Sequence, residues 1–255
     1  MTAEHRLLLD MACAAAHAAG AAILDIYCQD FTVRQKADDS PVTRADERAE
    51  AIIEERLAAG APDIPVIAEE RCAAQGLPSV APPRFWLVDP LDGTKEFIRR
   101  NGEFTVNIAL IEGDRPVLGV VHVPSQGVTY AAAGGATRRR SGEMPQPITA
   151  RPIPRRGAVV VHSRSHADEQ RLSEYVATLP DAERRLAGSA LKFCLLAAGE
   201  ADLYPRFGPT AEWDTAAGQA VLEAAGGAVA TLDGAPLRYG KPGFCNPDFI
   251  ARGRR

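Results

Sequence analysis

The sequence predicts a mixed fold of the α+β or α/β class, and three patterns support that prediction. Residues 4–29 are rich in Ala, Leu and Ile at helical spacing, which is typical of an amphipathic helix. Residues 104–132 contain three apolar runs separated by turn residues, which predicts an antiparallel meander. From residue 157 onward, strand-like and helix-like segments alternate, and this alternation indicates an α/β layer.

The composition is sufficient for a substantial buried core. Of the 255 residues, 46% are hydrophobic and 24% are charged, and the net charge is −4. This balance argues against nucleic-acid-binding or membrane-surface proteins, which normally carry a basic excess. Five scattered cysteines without C-x-x-C spacing indicate reduced thiols in a cytoplasmic protein. We expect no signal peptide and no integral membrane segment, because no long apolar region follows the charged N-terminus.

The first half of the chain, residues 1–150, is expected to be an α+β unit. Its predicted elements are a helix over 4–29, a strand over 31–35, a helix over 43–59 and strands over 64–70, 104–111, 117–123 and 128–132. Thr43 and Asp46 have the spacing of a capping box, so the second helix is predicted to start there. The cap by itself would explain Asp46.

The second half, residues 151–255, is expected to be the α/β unit. Residues 138–156 contain Arg, Gly and four prolines and mark the predicted boundary, and the basic run 138–140 within them is expected to be a solvated loop. The predicted elements are strands over 157–162, 184–187, 201–205 and 228–232 and helices over 167–178, 189–198 and 213–225.

The most informative stretch is residues 86–97, WLVDPLDGTKEF, in which an apolar strand runs into an acidic loop. Asp89 and Asp92 flank Pro90, which disfavours a helix and lets two carboxylates converge at a strand end. Two close carboxylates repel each other unless a cation lies between them, and Mg²⁺ prefers carboxylate and carbonyl oxygens. From these residues alone, an ordinary acidic turn closed by Gly93 and Thr94 is an equal alternative.

Two further acids lie at element ends, each with an ordinary explanation. Glu69 ends the strand over 64–70, where a surface position would account for it, and Asp214 falls in the first turn of the helix over 213–225, where it would complement the helix dipole. Together with Asp89 and Asp92 they make four carboxylates without a matching basic cluster. Shared divalent cations are the natural counter-charge, and a two-metal carboxylate site suits the hydrolysis of a phosphate ester.

Two sequence blocks resemble a known superfamily. Residues 89–94, DPLDGT, and 213–218, WDTAAG, are similar to the signatures of the lithium-sensitive, Mg²⁺-dependent inositol monophosphatase and fructose-1,6-bisphosphatase superfamily. More narrowly, the blocks at 95–110, 163–166, 188–194 and 203–210 resemble the 3'(2'),5'-bisphosphate nucleotidases of the CysQ type. The resemblance implies a layered α-β-α-β-α sandwich in which the N-terminal half carries the metal-binding loop and the C-terminal half completes the active site.

The resemblance also implies roles for individual residues. Glu69, Asp89 and the Leu91 carbonyl would hold one Mg²⁺, and Asp89, Asp92 and Asp214 a second, so that two or more ions are expected. Thr94, oriented by Asp46, would position and deprotonate the attacking water. The residues implied to contact the substrate are Glu69, Gly93, Thr94, Ser189, Lys192, Arg206 and Asp214. Of these, Lys192 and Arg206 suit a second phosphate.

The implied reaction is hydrolysis of the 3'-phosphate of adenosine 3',5'-bisphosphate, with 3'-phosphoadenylyl sulfate as a further candidate substrate, in support of sulfate assimilation. The alternatives are an inositol-1-monophosphatase or related sugar phosphatase, and a non-catalytic phosphate-ligand sensor. A cytoplasmic monomer or homodimer is expected, with peripheral inner-membrane association as a family property. Two positions depart from the family pattern: Ala68, where relatives often carry Gly or Ser, and Ala190, where a second Ser is common.

Overall fold

The computed structural model describes residues 2–35, 41–164 and 168–254. The helices are α1 (Ala3–Tyr27), α2 (Arg44–Gly60), α3 (Glu69–Gln75), α4 (Thr94–Ile98), α5 (Glu169–Ala177), α6 (Leu191–Ala197) and α7 (Ala216–Ala224). The strands are β1 (Val33–Gln35), β2 (Pro41–Thr43), β3 (Val66–Ala68), β4 (Arg84–Asp92), β5 (Thr105–Glu112), β6 (Arg115–Val123), β7 (Val128–Ala132), β8 (Ala136–Arg140), β9 (Gln146–Pro147), β10 (Val159–His162), β11 (Glu183–Leu186), β12 (Leu203–Arg206), β13 (Thr210–Ala211), β14 (Ala228–Thr231), β15 (Cys245–Asn246) and β16 (Phe249–Arg252).

A seven-stranded sheet with the order β3-β4-β5-β6-β7-β8-β9 forms the centre of the first half. Its strands are antiparallel except for the parallel pair β3 and β4. Side chains of β4 alternate between two cores: Phe85 and Leu87 face one, and Trp86 and Val88 face the other. Because both faces of the sheet are covered, β4 reads as a continuous apolar run.

Helices α1 and α2 cover one face of this sheet. Helices α6 and α7 cover the opposite face and separate it from a five-stranded sheet with the order β11-β10-β12-β16-β14. Helix α5 packs on the outer face of that second sheet through Leu172, which contacts the core around Val160 and Leu203. These layers confirm the predicted α-β-α-β-α sandwich.

Close approach between α7 and its neighbours depends on small residues. A Cβ added to Gly119 on β6 would lie 2.4 Å from the Ala217 carbonyl oxygen, and one added to Gly218 would lie 2.4 Å from the Phe193 ring of α6. Real Cβ atoms do not come this close, so both positions require glycine. The small residues of α7 therefore permit close packing against β6 and α6.

Helix α1 is long and apolar enough to cross a membrane by length and composition. Its inward residues, however, are fully buried inside the protein: Ala12, Ala15, Ala16, Ala19 and Ile23 have no exposed surface. They belong to the core that includes α2 and one face of the seven-stranded sheet. Helix α1 therefore packs as a core helix.

The structure corrects four sequence-based expectations. The basic run 138–140 lies in β8, paired with β7, and not in a solvated loop. Thr94, expected to close a turn together with Gly93, is the first residue of the short helix α4. Glu69 and Glu70 open a helix instead of ending a strand. Helix α7 begins at Ala216, so Asp214 precedes the helix and does not lie in its first turn.

Other predicted elements match the structure within a few residues, including α1, α2, the meander and the alternating second half. The predicted division into halves at about residue 150 stays a prediction. Two residues of the block 163–166 lie outside the described residues, namely Ser165 and His166. Ala167, the first residue of the helix predicted over 167–178, also lies outside them.

Candidate active site

A cavity of about 380 Å³ lies where the end of β4 faces α6, β12 and the segment before α7. It is lined by most of the side chains singled out from the sequence: Glu69, Asp89, Leu91, Asp92, Gly93, Thr94, Ser189, Lys192, Arg206 and Asp214. The remaining one, Asp46, does not line the cavity but accepts a hydrogen bond from Thr94, which does. Folding therefore brings together residues as far apart in the chain as Asp46 and Asp214.

A β-bulge at the end of β4 places both aspartates on one side of the strand. Asp89 pairs with Asn107 and Asp92 pairs with Thr105, so three steps along β4 match two steps along β5. Residues three apart in a regular strand point to opposite faces, and the one-residue bulge reverses this parity. Pro90 is tolerated in the strand because it lies within the bulge. The predicted convergence of Asp89 and Asp92 thus has a specific backbone cause.

The two aspartates are held by different contacts. Asp89 is 2% exposed, and its Oδ1 accepts a hydrogen bond from the Leu91 amide at 3.1 Å. The Oδ2 of Asp92 accepts hydrogen bonds from the Ala190 amide at 2.6 Å and from the Asn107 side-chain amide at 3.2 Å. Asp92 therefore joins the acidic loop to the start of α6.

Gly93 is required by both conformation and space. Its φ of 91° lies in the left-handed region, and an added Cβ would lie 2.5 Å from the Ser189 hydroxyl oxygen. That hydroxyl donates to the Glu103 carbonyl at 2.6 Å or to the Asp92 carbonyl at 2.9 Å. Ser189 therefore links the acidic loop to the segment before α6 and stabilises this wall of the cavity.

Thr94 and Asp46 form a hydrogen-bonded pair. The Thr94 hydroxyl donates to Asp46 Oδ1 at 3.1 Å, with the Leu91 carbonyl as a second acceptor at 3.3 Å. The other oxygen of Asp46 accepts from the amide and the hydroxyl of Thr43, both at 2.8 Å, which is the predicted capping box of α2. Asp46 thus caps its helix and contacts the cavity threonine at the same time.

Asp214 is held in the segment that precedes α7. Its Oδ2 accepts a hydrogen bond from the Ala211 amide at 3.0 Å. The neighbouring Glu212 is fully buried and accepts from the amides of Gly240 and Lys241, and from the Lys241 ammonium at 2.6 Å. These contacts tie the Asp214 segment to the 240–241 turn.

Burial raises the pKa values of Asp92, Asp214 and Asp46, and like charges nearby add to this effect. Burial raises the pKa of Asp92 to about 6, an effect that the Lys192 charge opposes. Burial raises the pKa of Asp214 well above its usual range, and the charges of Asp92 and Glu69 raise it further. Burial also raises the pKa of Asp46 to about 6. A bound cation would relieve this repulsion, so the electrostatics fit a metal site.

The donor set also fits Mg²⁺, because it consists of carboxylate and backbone carbonyl oxygens. Within residues 2–35, 41–164 and 168–254, however, no three acidic, histidine or cysteine side chains are already gathered at metal-binding distances. The carboxylates therefore share a cavity without forming a preassembled cluster, and the individual ligand assignments stay predictions.

Two buried cations line the same cavity as the acids. Lys192 is 3% exposed and donates to the Ser189 carbonyl at 2.7 Å, and burial lowers its pKa to about 8. Arg206 is 7% exposed and donates to the Pro209 carbonyl at 2.6 Å and to the Ser163 hydroxyl at 3.3 Å. Its Nε–H has no acceptor among the residues described, which leaves one buried donor for a ligand.

Sequence reasoning did not assign a role to Arg164, which also lines the cavity. Its guanidinium pairs with Glu103, whose carboxylate accepts from the Gly188 amide at 2.9 Å. The pair connects the end of β10 to the turn before α6. Arg164 lies inside the block 163–166 that carried the family resemblance, and that block is the sequence feature from which its place in the cavity could have been predicted.

The chain matches the model of the inositol monophosphatase family over residues 4–250. The chain belongs to this family. A relative from Shigella flexneri named 3'(2'),5'-bisphosphate nucleotidase CysQ is 48% identical over 254 residues, which cover 95% of this chain and 98% of that protein. The protein of the same name from Escherichia coli strain K12 is 47% identical over the same number of residues, with the same coverage of each chain.

A solved structure of a bacterial member of the inositol monophosphatase family, CysQ from Bacteroides thetaiotaomicron, has a similar fold. It is 38% identical to this chain, covers 97% of both chains and superposes with a TM-score of 0.81. The predicted family and fold are thus confirmed.

Proposed function

We propose that this member of the inositol monophosphatase family is a Mg²⁺-dependent 3'(2'),5'-bisphosphate nucleotidase, which hydrolyses the 3'-phosphate of adenosine 3',5'-bisphosphate to AMP and phosphate. The observation that carries the proposal is the shared cavity. Acidic side chains from β4, α3 and the segment before α7 line it together with the buried cations Lys192 and Arg206. The names of the most similar relatives agree with this activity.

We assign Mg²⁺ to the acidic side of the cavity, with two or more ions per site. Glu69, Asp89 and the Leu91 carbonyl would hold one ion, and Asp89 would share a second with Asp92 and Asp214. Bound Mg²⁺ supplies charge neutralisation for the phosphoryl oxygens and for the departing ribose oxygen.

We assign the attacking water to Thr94. The Thr94 hydroxyl oxygen would accept a proton from the water while its own proton passes to Asp46 Oδ1, 3.1 Å away. The raised pKa of Asp46, about 6, makes it a stronger base than an ordinary aspartate and leaves it mostly ionised at neutral pH. The backbone amides of Gly93 and Thr94 would hold the scissile phosphate.

We assign the far end of the substrate to the basic side of the cavity. Lys192 and the free Nε–H of Arg206 would bind the 5'-phosphate, because charged donors bind phosphate strongly where water is excluded. Ser189 is engaged with two backbone carbonyls, so we assign it to wall geometry and the orientation of this end.

The competing activities differ in which phosphate ester is cleaved. Phosphate release should be measured with purified protein and Mg²⁺ on adenosine 3',5'-bisphosphate and on inositol 1-phosphate, with EDTA as the control. We expect a clear preference for the nucleotide. A preference for inositol 1-phosphate would favour a sugar phosphatase, and nucleotide binding without phosphate release would favour a non-catalytic sensor.

We place the enzyme in the cytoplasm as a monomer or homodimer. The cleavage of 3'-phosphoadenylyl sulfate and the role in sulfate assimilation belong to the same proposal. No feature of the described part of the chain supports the expected peripheral membrane association, since α1 is buried in the core.

A further inference from the structure

Helix α3 carries the metal ligand Glu69 at its first position but has no N-terminal cap of its own. The residue at the capping position is Ala68, whose backbone is extended, with φ −128° and ψ 147°, and whose side chain has no hydrogen-bond acceptor. The first amide groups of a helix have no partner inside the helix, and Ser, Thr, Asp or Asn normally supplies an acceptor. The start of α3 therefore depends on an acceptor from elsewhere.

Glu50 of α2 supplies that acceptor. Its Oε2 accepts a hydrogen bond from the Glu70 amide and its Oε1 accepts one from the Arg71 amide, both at 2.7 Å. These amides belong to the second and third residues of α3, which are the two that a capping side chain normally satisfies. Burial raises the pKa of Glu50 to about 7, an effect that the two amide hydrogen bonds oppose, and the ionised form complements the positive end of the helix dipole.

The same helix fixes the other side of the active site. Asp46 lies four residues before Glu50, so both side chains are on one face of α2. Asp46 contacts Thr94, and Glu50 holds the start of α3. Helix α2 thus sets the position of the proposed water-binding residue and of one proposed metal ligand together.

Glu50 lies outside the active-site cavity. Glu69 lines both that cavity and a neighbouring cavity of about 710 Å³, which Glu50 and Glu54 also line. Glu50 is 6% exposed. It is therefore placed to act on the metal site through the backbone of α3 and not by contact with substrate.

We propose that Glu50 is a positioning residue that holds Glu69 in place for Mg²⁺ by capping α3 from the neighbouring helix. The inference rests on the proposed function, in which Glu69 binds Mg²⁺. Groups that orient metal ligands typically change metal affinity by about 10- to 100-fold when they are removed.

The test is direct Mg²⁺ titration of the full chain without substrate, by isothermal calorimetry, for wild type, Glu50→Ala and Glu50→Gln. We expect Glu50→Ala to bind Mg²⁺ at least about tenfold more weakly. Glu50→Gln keeps one acceptor and should show a smaller loss. Circular dichroism identifies any variant that does not fold, and Glu50→Gln carries the test if Glu50→Ala is unfolded.

A double variant tests the capping role directly, because it adds a capping side chain at position 68. Ala68→Ser places a hydroxyl within the helix's own capping position, so the double variant Glu50→Ala, Ala68→Ser should recover much of the lost Mg²⁺ affinity. Loss of packing or of charge at Glu50 would not be repaired by this change. A double variant no better than Glu50→Ala would overturn the capping role.

The matched control is Glu54→Ala. Glu54 lies one turn further along α2 and pairs with the side chain of Arg71 at 2.8 Å, so it contacts the same short helix without holding its amides. We expect the Mg²⁺ affinity of Glu54→Ala to stay within about twofold of wild type, because a partly exposed ion pair contributes little. Equal losses in Glu50→Ala and Glu54→Ala, or no loss in Glu50→Ala, would refute the inference. Absence of Mg²⁺ binding by wild type would instead refute the proposed function.

Discussion

Replacing Asp46 by asparagine separates the catalytic role of this residue from its structural role. The amide oxygen of the new side chain can take the place of Oδ2 and accept from the amide and hydroxyl of Thr43, which now lie 2.8 Å from the carboxylate. The amide nitrogen then faces Thr94, whose hydroxyl can still donate to the Leu91 carbonyl. The helix cap survives, but Thr94 loses its proton acceptor.

We expect Asp46→Asn to lower turnover and to raise the free energy of unfolding near neutral pH. General-base groups typically contribute about 10²- to 10⁴-fold to rate, so kcat should fall at least about 100-fold. In the wild type, burial moves the pKa of Asp46 from 3.8 to about 6, which corresponds to about 3 kcal/mol of cost for the ionised form. That cost is absent below about pH 4 and complete above about pH 6.

The free energy of unfolding of the Asp46→Asn variant, relative to wild type, should therefore rise by up to about 3 kcal/mol between about pH 4 and pH 7. Phosphate release gives kcat and urea unfolding gives stability. Thr43→Ala is the control, since it should cost about 1 kcal/mol of stability while keeping the Thr94 contact and most activity. A folded Asp46→Asn enzyme that retained more than a tenth of wild-type kcat would refute proton transfer to Asp46.

Three further predictions concern other parts of the site. Gly93→Ala should lower stability by at least about 1–2 kcal/mol, seen as a lower melting temperature, because φ is 91° and the new Cβ would meet the Ser189 hydroxyl; an unchanged melting temperature would contradict this geometry. Arg206→Gln should raise KM for adenosine 3',5'-bisphosphate about tenfold with little effect on 3'-AMP, which has no 5'-phosphate; equal effects on both substrates would remove Arg206 from the 5'-phosphate site. The acidic limb of kcat/KM should lie at or below about pH 6, where Asp46 becomes protonated; a rate that is independent of pH between 4 and 7 would argue against an ionised Asp46.

Local signals made much of the fold predictable from sequence. Apolar periodicity gave α1, and the Thr43 and Asp46 capping box gave the start of α2. The elements that were missed depend on strand pairing that their own residues do not reveal. Strand β16 lies between β12 and β14, and β8 is paired with β7 although its arginines suggested a loop. Such pairing depends on tertiary context more than on residue type.

The composition of the site was predictable, but its geometry was not. The acidic motifs singled out Asp89, Asp92 and Asp214, and all three line one cavity. The bulge that aligns the two loop aspartates depends on pairing with β5, which no local pattern reveals. Likewise, the cap that Glu50 provides for α3 joins two helices and has no sequence signature.

The most direct test of the account is phosphate release from adenosine 3',5'-bisphosphate by wild type and Asp89→Asn across a Mg²⁺ titration. If Asp89 bridges the bound ions, wild type should be active only with Mg²⁺, and the variant should lose about 100-fold or more at saturating Mg²⁺, as for other single catalytic electrostatic groups. An Asp89→Asn enzyme with more than about a tenth of wild-type activity would contradict a shared metal site at the end of β4, since such groups normally contribute far more.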